Sequence, residues 1–209
     1  MSNEKSGSRT LLMSVLMSAP GPLLLGLGLL SGRSSTQIAD LVRRSAELLG
    51  IIMAYVVFRM TCKGGDEARK NRLERFSNAF VGAMMCLGGA VMVLLALTAG
   101  SSDKGNVVPG LVIALLGVIA NTLFWLKYRG LNKKEPNAIL LVQARLYRAK
   151  SLVDGCVTAA LLAVLVLPGS SLAAWLDMAG SLVVAGYLIW CGVKTVAESI
   201  GRGKPVDKC

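Results

Sequence analysis

Four ionisable side chains, Asp40, Arg43, Arg44 and Glu47, follow one another at i, i+3, i+4 and i+7, so a helix carries all four on one face. Lys150 and Asp154, much later in the chain, repeat the i, i+4 spacing. Carboxylates can accept a cation or hold a proton, whereas guanidinium and ammonium groups only donate. All six sit beside long apolar stretches. At mid-bilayer each unpaired charge costs about 2.5 to 3.5 kcal/mol, so the first four would oppose insertion by roughly 10 kcal/mol if they faced lipid. They must face protein or water. Asp40 with Arg44 and Arg43 with Glu47 are opposite charges at i, i+4, which relieves part of that cost.

The elements that must position these groups are membrane helices. The 209 residues are 54% hydrophobic and 17% charged, a composition that argues against a water-soluble domain. Charge-free blocks run from Leu11 to Leu30, Phe76 to Ser102, Gly105 to Leu126 and Gly155 to Leu176, each long enough for a hydrocarbon core of about 30 Å. Two shorter blocks, Leu48 to Phe58 and Met178 to Val193, become spans once their charged flanks enter the membrane. The expectation is an all-α membrane protein of six transmembrane helices. It comprises an N-terminal tail over 1–10, a six-helix domain over 11–193 and a C-terminal tail over 194–209.

The net charge of +11 does not indicate nucleic acid, because aromatic residues are few and the basic ones gather at the ends of spans. With both termini inside, most of the 23 basic residues fall on the cytoplasmic side, and only Arg33 and Lys104 lie in outer loops. The implied location is a bacterial inner membrane with both termini cytoplasmic. Cys86, Cys156 and Cys191 lie in spans and Cys62 and Cys209 on the reducing side, so the five read as packing or spare thiols. No small-x-small cleavage site follows the first apolar block, which reads as a retained span.

Span 1, about Leu11 to Leu30, carries Pro20, Gly21 and Pro22 and is expected to kink there. Span 2, about Ser35 to Phe58, holds the ionic stripe. Span 3, about Phe76 to Ala99, carries Ala79, Ala83, Gly88, Gly89 and Ala90, small residues that invite close approach of a neighbouring helix or a dimer partner. Span 4, about Val107 to Leu126, has Asn121 as its most polar member, read as a helix-to-helix hydrogen bond. Span 5 runs from about Ala138 to Leu167 and span 6 from about Ala173 to Val193. Arg59–Arg75 and Lys127–Asn137 read as polar loops. At 1.5 Å per residue, Arg44 lies about 13 Å from the outer end of span 2 and Asp154 on the order of 18 Å from the inner end of span 5. Near the midplane, a tetrad of Asp40, Arg44, Lys150 and Asp154 could close with formal charge zero.

These residues resemble a known family. The run Gly28-Leu-Leu-Ser-Gly-Arg-Ser-Ser-x-x-x-Ala39-Asp40 is similar to the junction of the first two spans in the cation diffusion facilitators, six-helix metal/proton antiporters. Arg72-Leu73-Glu74 resembles their Arg-x-Glu motif at the start of the third helix. Arg145, position 150 and Asp154 reproduce the spacing of their fifth helix, and Trp175-Leu176-Asp177 resembles the opening of their sixth. The resemblance covers about residues 10 to 200. It implies a tetrahedral metal site, usually for zinc, of two residues from helix 2 and two from helix 5. Asp40 and Asp154 match ligand positions; Arg44 and Lys150 bring positive charge where a divalent ion needs lone pairs. The chain has no His. It stops before the cytoplasmic ferredoxin-like domain that facilitators commonly carry.

No P-loop, Gly-x-Ser-x-Gly, His-based triad or metal cluster is present, so neither an enzyme nor a resident cofactor is expected. The nine Met residues read as packing. Arg43 with Glu47 reads as a local pair, Arg72 with Glu74 as an interfacial pair, and Asp177 as a helix-start residue. The leading expectation is a facilitator-fold secondary transporter, working around Asp40, Arg44, Lys150 and Asp154 on a small cationic or zwitterionic substrate or a proton, and not on zinc. It would be a homodimer in the lipid bilayer through helix 3. The alternative is a transport-inactive scaffold of the same fold in which the charges form a permanent lock. A small multidrug exporter is a third and weaker reading, because such a site usually leaves its carboxylate unpaired.

Overall fold

A computed structural model describes residues 2–31, 35–62, 66–98, 108–166 and 171–201; the side chains of Asp40 and Asp177 lie outside those described. Its elements are α1 (Ser2–Ser18), α2 (Pro20–Ser31), α3 (Ser35–Thr61), α4 (Glu67–Thr98), α5 (Val108–Lys134), α6 (Ala138–Val166) and α7 (Ser171–Ile200). The first two together make one interrupted span. The expected kink falls at Ala19, where the last turn of α1 closes through Ala19 N donating to Val15 O at 2.9 Å before Pro20 opens α2. The architecture is therefore six helical spans, all-α throughout the described residues.

The helices outrun the apolar blocks. α4 begins at Glu67 and α5 continues to Lys134, so most of what reads as polar loop is helix projecting beyond the hydrocarbon. Lys, Arg and Glu are good helix formers, and only a capping residue or a proline stops such a run. Both devices are present. The Asp66 carboxylate accepts from Ala68 N at 3.2 Å, and Pro136 follows the end of α5. Asn137 Oδ1 then caps α6 by accepting from Ile139 N and Leu140 N at 2.9 and 3.3 Å. The N-terminal residues are packed as well, with Thr10 and Leu11 fully buried.

α4 packs along α7, α5 along α6, and α3 against α4, while α1 touches α3 and α5. The α4–α7 contact is a seam of small residues. A Cβ added at Gly82 would stand 2.8 Å from Gly192 O, and one added at Gly89 would stand 3.0 Å from Ala185 O. Close backbone approach here needs glycine. The small-residue face expected on the third span thus has its neighbour, α7. On the outer faces large apolar side chains such as Leu94, Leu97, Leu116, Leu123 and Val183 are exposed, as lipid contact requires. Among the described residues Glu67–Leu97 and Met178–Ile200 are each long and apolar enough to cross a membrane.

Candidate functional site

A cavity of about 410 Å³ lies between α3, α5 and α6, with the break between α1 and α2 forming part of its wall. Arg44, Lys150 and Asp154, three of the four residues expected at the site, line it, together with Arg43, Glu47 and Asn121. Asp40, the fourth, has a side chain outside those described.

Depths measured from the end of the bundle where α3 finishes and α6 begins explain the pairing. Glu47 stands about 21 Å in and Lys150 about 18 Å, while Arg44 and Asp154 stand at about 26 and 24 Å. Glu47 and Lys150 are level, and Lys150 Nζ indeed lies 3.1 Å from Glu47 Oε2. Arg43 Nη1 reaches the other carboxylate oxygen of Glu47, Oε1, at 3.4 Å. Glu47 is 7% exposed, so its charge is compensated by protein rather than by bulk water. The local Arg43–Glu47 pair expected from the sequence is present, but Glu47 also bridges two helices. That second role is what the sequence reading missed. The signal for it was the ionic stripe itself: Glu47 lies one turn nearer that end of the bundle than Arg44, as Lys150 lies one turn nearer it than Asp154.

Asp154 is held differently. Asn121 Nδ2 on α5 donates to Asp154 Oδ2 at 2.6 Å, the interhelical hydrogen bond expected of Asn121. One turn away Thr122 and Ser151 join their hydroxyls at 2.6 Å. Gly117 completes the seat, since a Cβ there would stand 2.5 Å from Asp154 Oδ2. Only glycine lets the carboxylate lie against the α5 backbone.

An aromatic stack lies towards the end of the bundle where α5 finishes. Tyr147 stands 5.0 Å from Phe124 and 5.5 Å from Tyr128, centroid to centroid. Lys150 Nζ sits 5.3 Å from the Tyr147 ring. The Tyr128 hydroxyl, fully buried, bonds Ser14 Oγ at 2.8 Å and ties α1 to α5. Ser18 reaches the Tyr147 hydroxyl at 3.5 Å.

Chemically, the described side chains of the cavity comprise two carboxylates and three cations. Among the described residues no group of three Asp, Glu, Cys or His is arranged to hold a metal ion. Nearby, Arg145 Nη1 and Glu198 Oε2 join α6 to α7 at 2.7 Å. The expected Arg72–Glu74 pair does not form. Residues two apart on a helix point away from each other, and the charges that bear on Glu74 are those of Lys70 and Glu67.

The chain matches the family model of the cation efflux transmembrane domain over residues 11–201. It belongs to that family of integral membrane cation transporters, the cation diffusion facilitators that its motifs resemble. Comparison with curated proteins gives no match.

Proposed function

We propose that the protein is a secondary transporter that alternates access around the α3–α5–α6 cavity and whose substrate is not a bare divalent metal. The observation that carries this reading is the Lys150 ammonium, 3.1 Å from Glu47 in a position where relatives would offer a metal ligand. An ammonium there repels a divalent ion and donates no lone pair. Asp154, with Asp40, exchanges a small cation, a zwitterion or a proton; Arg44 and Lys150 balance the carboxylates and release them when substrate arrives. The working form is a homodimer through α4. With its glycine face filled by α7, α4 would use the exposed side that carries Leu87 and Leu94. The reading is tested by flux into proteoliposomes: organic-cation or proton flux without zinc flux supports it, and zinc flux at the rate of an ordinary facilitator refutes it.

The Arg43–Glu47–Lys150 chain also favours a second reading, a facilitator-fold scaffold in which these charges form a permanent lock. Replacing Glu47 and Lys150 together by apolar residues separates the two. The scaffold keeps its cellular function, and the transporter loses its flux.

A further inference from the structure

Arg148 on α6 stands apart from the basic residues at the ends of the helices. It lies about 15 Å past the start of α6 at a rise of about 1.5 Å per residue. It is half-buried, with its guanidinium carbon 6.0 Å from the centre of the Trp125 ring on α5. Lys194 on α7 repeats the arrangement, with Nζ 5.7 Å from the Trp190 ring. The two cations are level. Arg145 binds Glu198 at 2.7 Å, and the contact of Gly180 with Cys156 shows α7 to run antiparallel to α6. One turn along each helix from that ion pair therefore leads to Arg148 on one side and Lys194 on the other.

Arg148, Leu152, Gly155 and Ala159 follow at i, i+4, i+7 and i+11 and share one face of α6. Ser151, bonded to Thr122 of α5, and Arg145, bonded to Glu198 of α7, stand on either side of that face. The face itself is open: Leu152 is 45% exposed, Ala159 is exposed, and nothing lies within 4 Å of a Cβ at Gly155. The result is a furrow with α6 as its floor and α5 and α7 as its walls. It is basic near the start of α6 and apolar deeper in the bundle. A phospholipid in the leaflet on that side has the same order, headgroup first and acyl chain after.

The charge of the furrow selects the headgroup. Among the described residues its basic layer holds Arg145, Arg148 and Lys194 against one carboxylate, Glu198, which Lys194 approaches at 3.9 Å. Glu74 on α4 lies beside Glu198 in a separate small cavity, where Lys70 bears on it and Arg75 joins the lining. Arg129, exposed and one turn on from Trp125, adds a further positive charge. Basic clefts between helices at the membrane surface attract anionic headgroups, and a guanidinium can give two hydrogen bonds to one phosphate. A zwitterionic headgroup gains less, because the Trp125 and Trp190 rings that would receive its ammonium already hold Arg148 and Lys194.

We propose that this furrow binds an anionic phospholipid of the phosphatidylglycerol class, with its phosphate between Arg148 and Lys194 and an acyl chain along Leu152, Gly155 and Ala159. The site is independent of the reading given to the Lys150 cavity and holds equally for a transporter and for a scaffold.

The test uses the full chain in a Trp175→Phe background, reconstituted into vesicles in which either phosphatidylglycerol or phosphatidylcholine carries brominated chains. Bromine quenches a tryptophan that it touches, so quenching of Trp125 and Trp190 reads occupancy of the furrow. The charge-intact chain should prefer phosphatidylglycerol about fivefold, and Arg148→Gln with Lys194→Gln should bring the ratio to about one. Gly155→Leu, which fills the floor without altering charge, should also lose the preference. Lys133→Gln with Lys134→Gln, which removes exposed cations at the end of α5, should keep it. In detergent, phosphatidylglycerol should raise the melting temperature and soluble glycerol phosphate should not. Any of four results overturns the proposal: equal quenching by the two lipids in the charge-intact chain, a preference that survives loss of Arg148 and Lys194, an equal loss in the Lys133 and Lys134 variant, or a melting temperature raised as much by glycerol phosphate as by the lipid. Because the preference is read first on the charge-intact chain, a variant that fails to fold leaves the proposal open to refutation.

Discussion

Lys150 on α6 and Glu47 on α3 are joined at 3.1 Å, and both are largely withdrawn from solvent, with side chains 15% and 9% exposed. A pair of this kind stabilises little relative to apolar groups of the same shape, yet removing one partner strands a buried charge. Glu47→Gln or Lys150→Met alone should therefore lower stability by about 3 to 5 kcal/mol, and the double substitution should recover most of the loss. A double-mutant cycle on melting in detergent measures this. Additive single effects would mean that the two charges do not compensate one another.

Supplying lone pairs in place of cations should change ion selectivity. Arg44→Asp combined with Lys150→His puts a carboxylate and an imidazole beside Asp154, donors that zinc accepts. Zinc binding by calorimetry should appear in the double variant and be absent from the wild type. Zinc binding of equal strength in both would remove the charge argument.

The seat of Asp154 depends on Gly117. An added methyl at 2.5 Å from Asp154 Oδ2 must push the carboxylate off Asn121. Overpacking of this kind costs about 1 to 3 kcal/mol. Gly117→Ala should also abolish transport more completely than the stability loss explains, as flux per folded molecule will report. Gly186→Ala is the control. Nothing lies within 4 Å of a Cβ there, so it should be neutral or stabilise by up to about 1 kcal/mol through helix propensity.

Thiol labelling examines the packing of α4 on α7. Cys62 is exposed, whereas Cys191 is buried and Cys86 donates to Ile189 O at 3.7 Å. In a Cys209→Ser background, a membrane-impermeant maleimide should modify Cys62 quickly from the side that holds the termini and leave Cys86 and Cys191 unreacted. Rapid labelling of Cys191 would contradict the seam.

Particular residues mark where the sequence was legible and where it was not. Lys150, Asp154 and Arg44 could be found because ionisable groups inside an apolar helix are rare and their spacing fixes a face. Pro20 located the break in the first span, and Asn121 its interhelical bond, for equally local reasons. The partner of Lys150 was not legible. Hydropathy marks where the hydrocarbon begins rather than where a helix stops, so α3 was ended at Phe58, three residues short of Thr61. That shortening moves Glu47 and Arg44 alike; the partner of Lys150 was missed because Glu47 was assigned wholly to Arg43 at i, i+4. Hydropathy likewise hid the helical ends at Glu67 and Lys134. Buried atoms without a hydrogen-bond partner, such as Asn78 Oδ1 on α4, leave no trace in a sequence, since only the packed neighbours decide whether a polar group is met.

The break at Ala19 has a consequence for how one wall of the larger cavity is held. The lower half of the first span is bolted to α5 through Ser14 and Tyr128, whereas the upper half, beginning at Pro20, leans on α3. Proline has no amide hydrogen to donate, so the backbone ladder is already cut at that level. Among the described residues that wall of the larger cavity is therefore held by the packing of α2 on α3 and not by an unbroken helix running up from the anchored lower half.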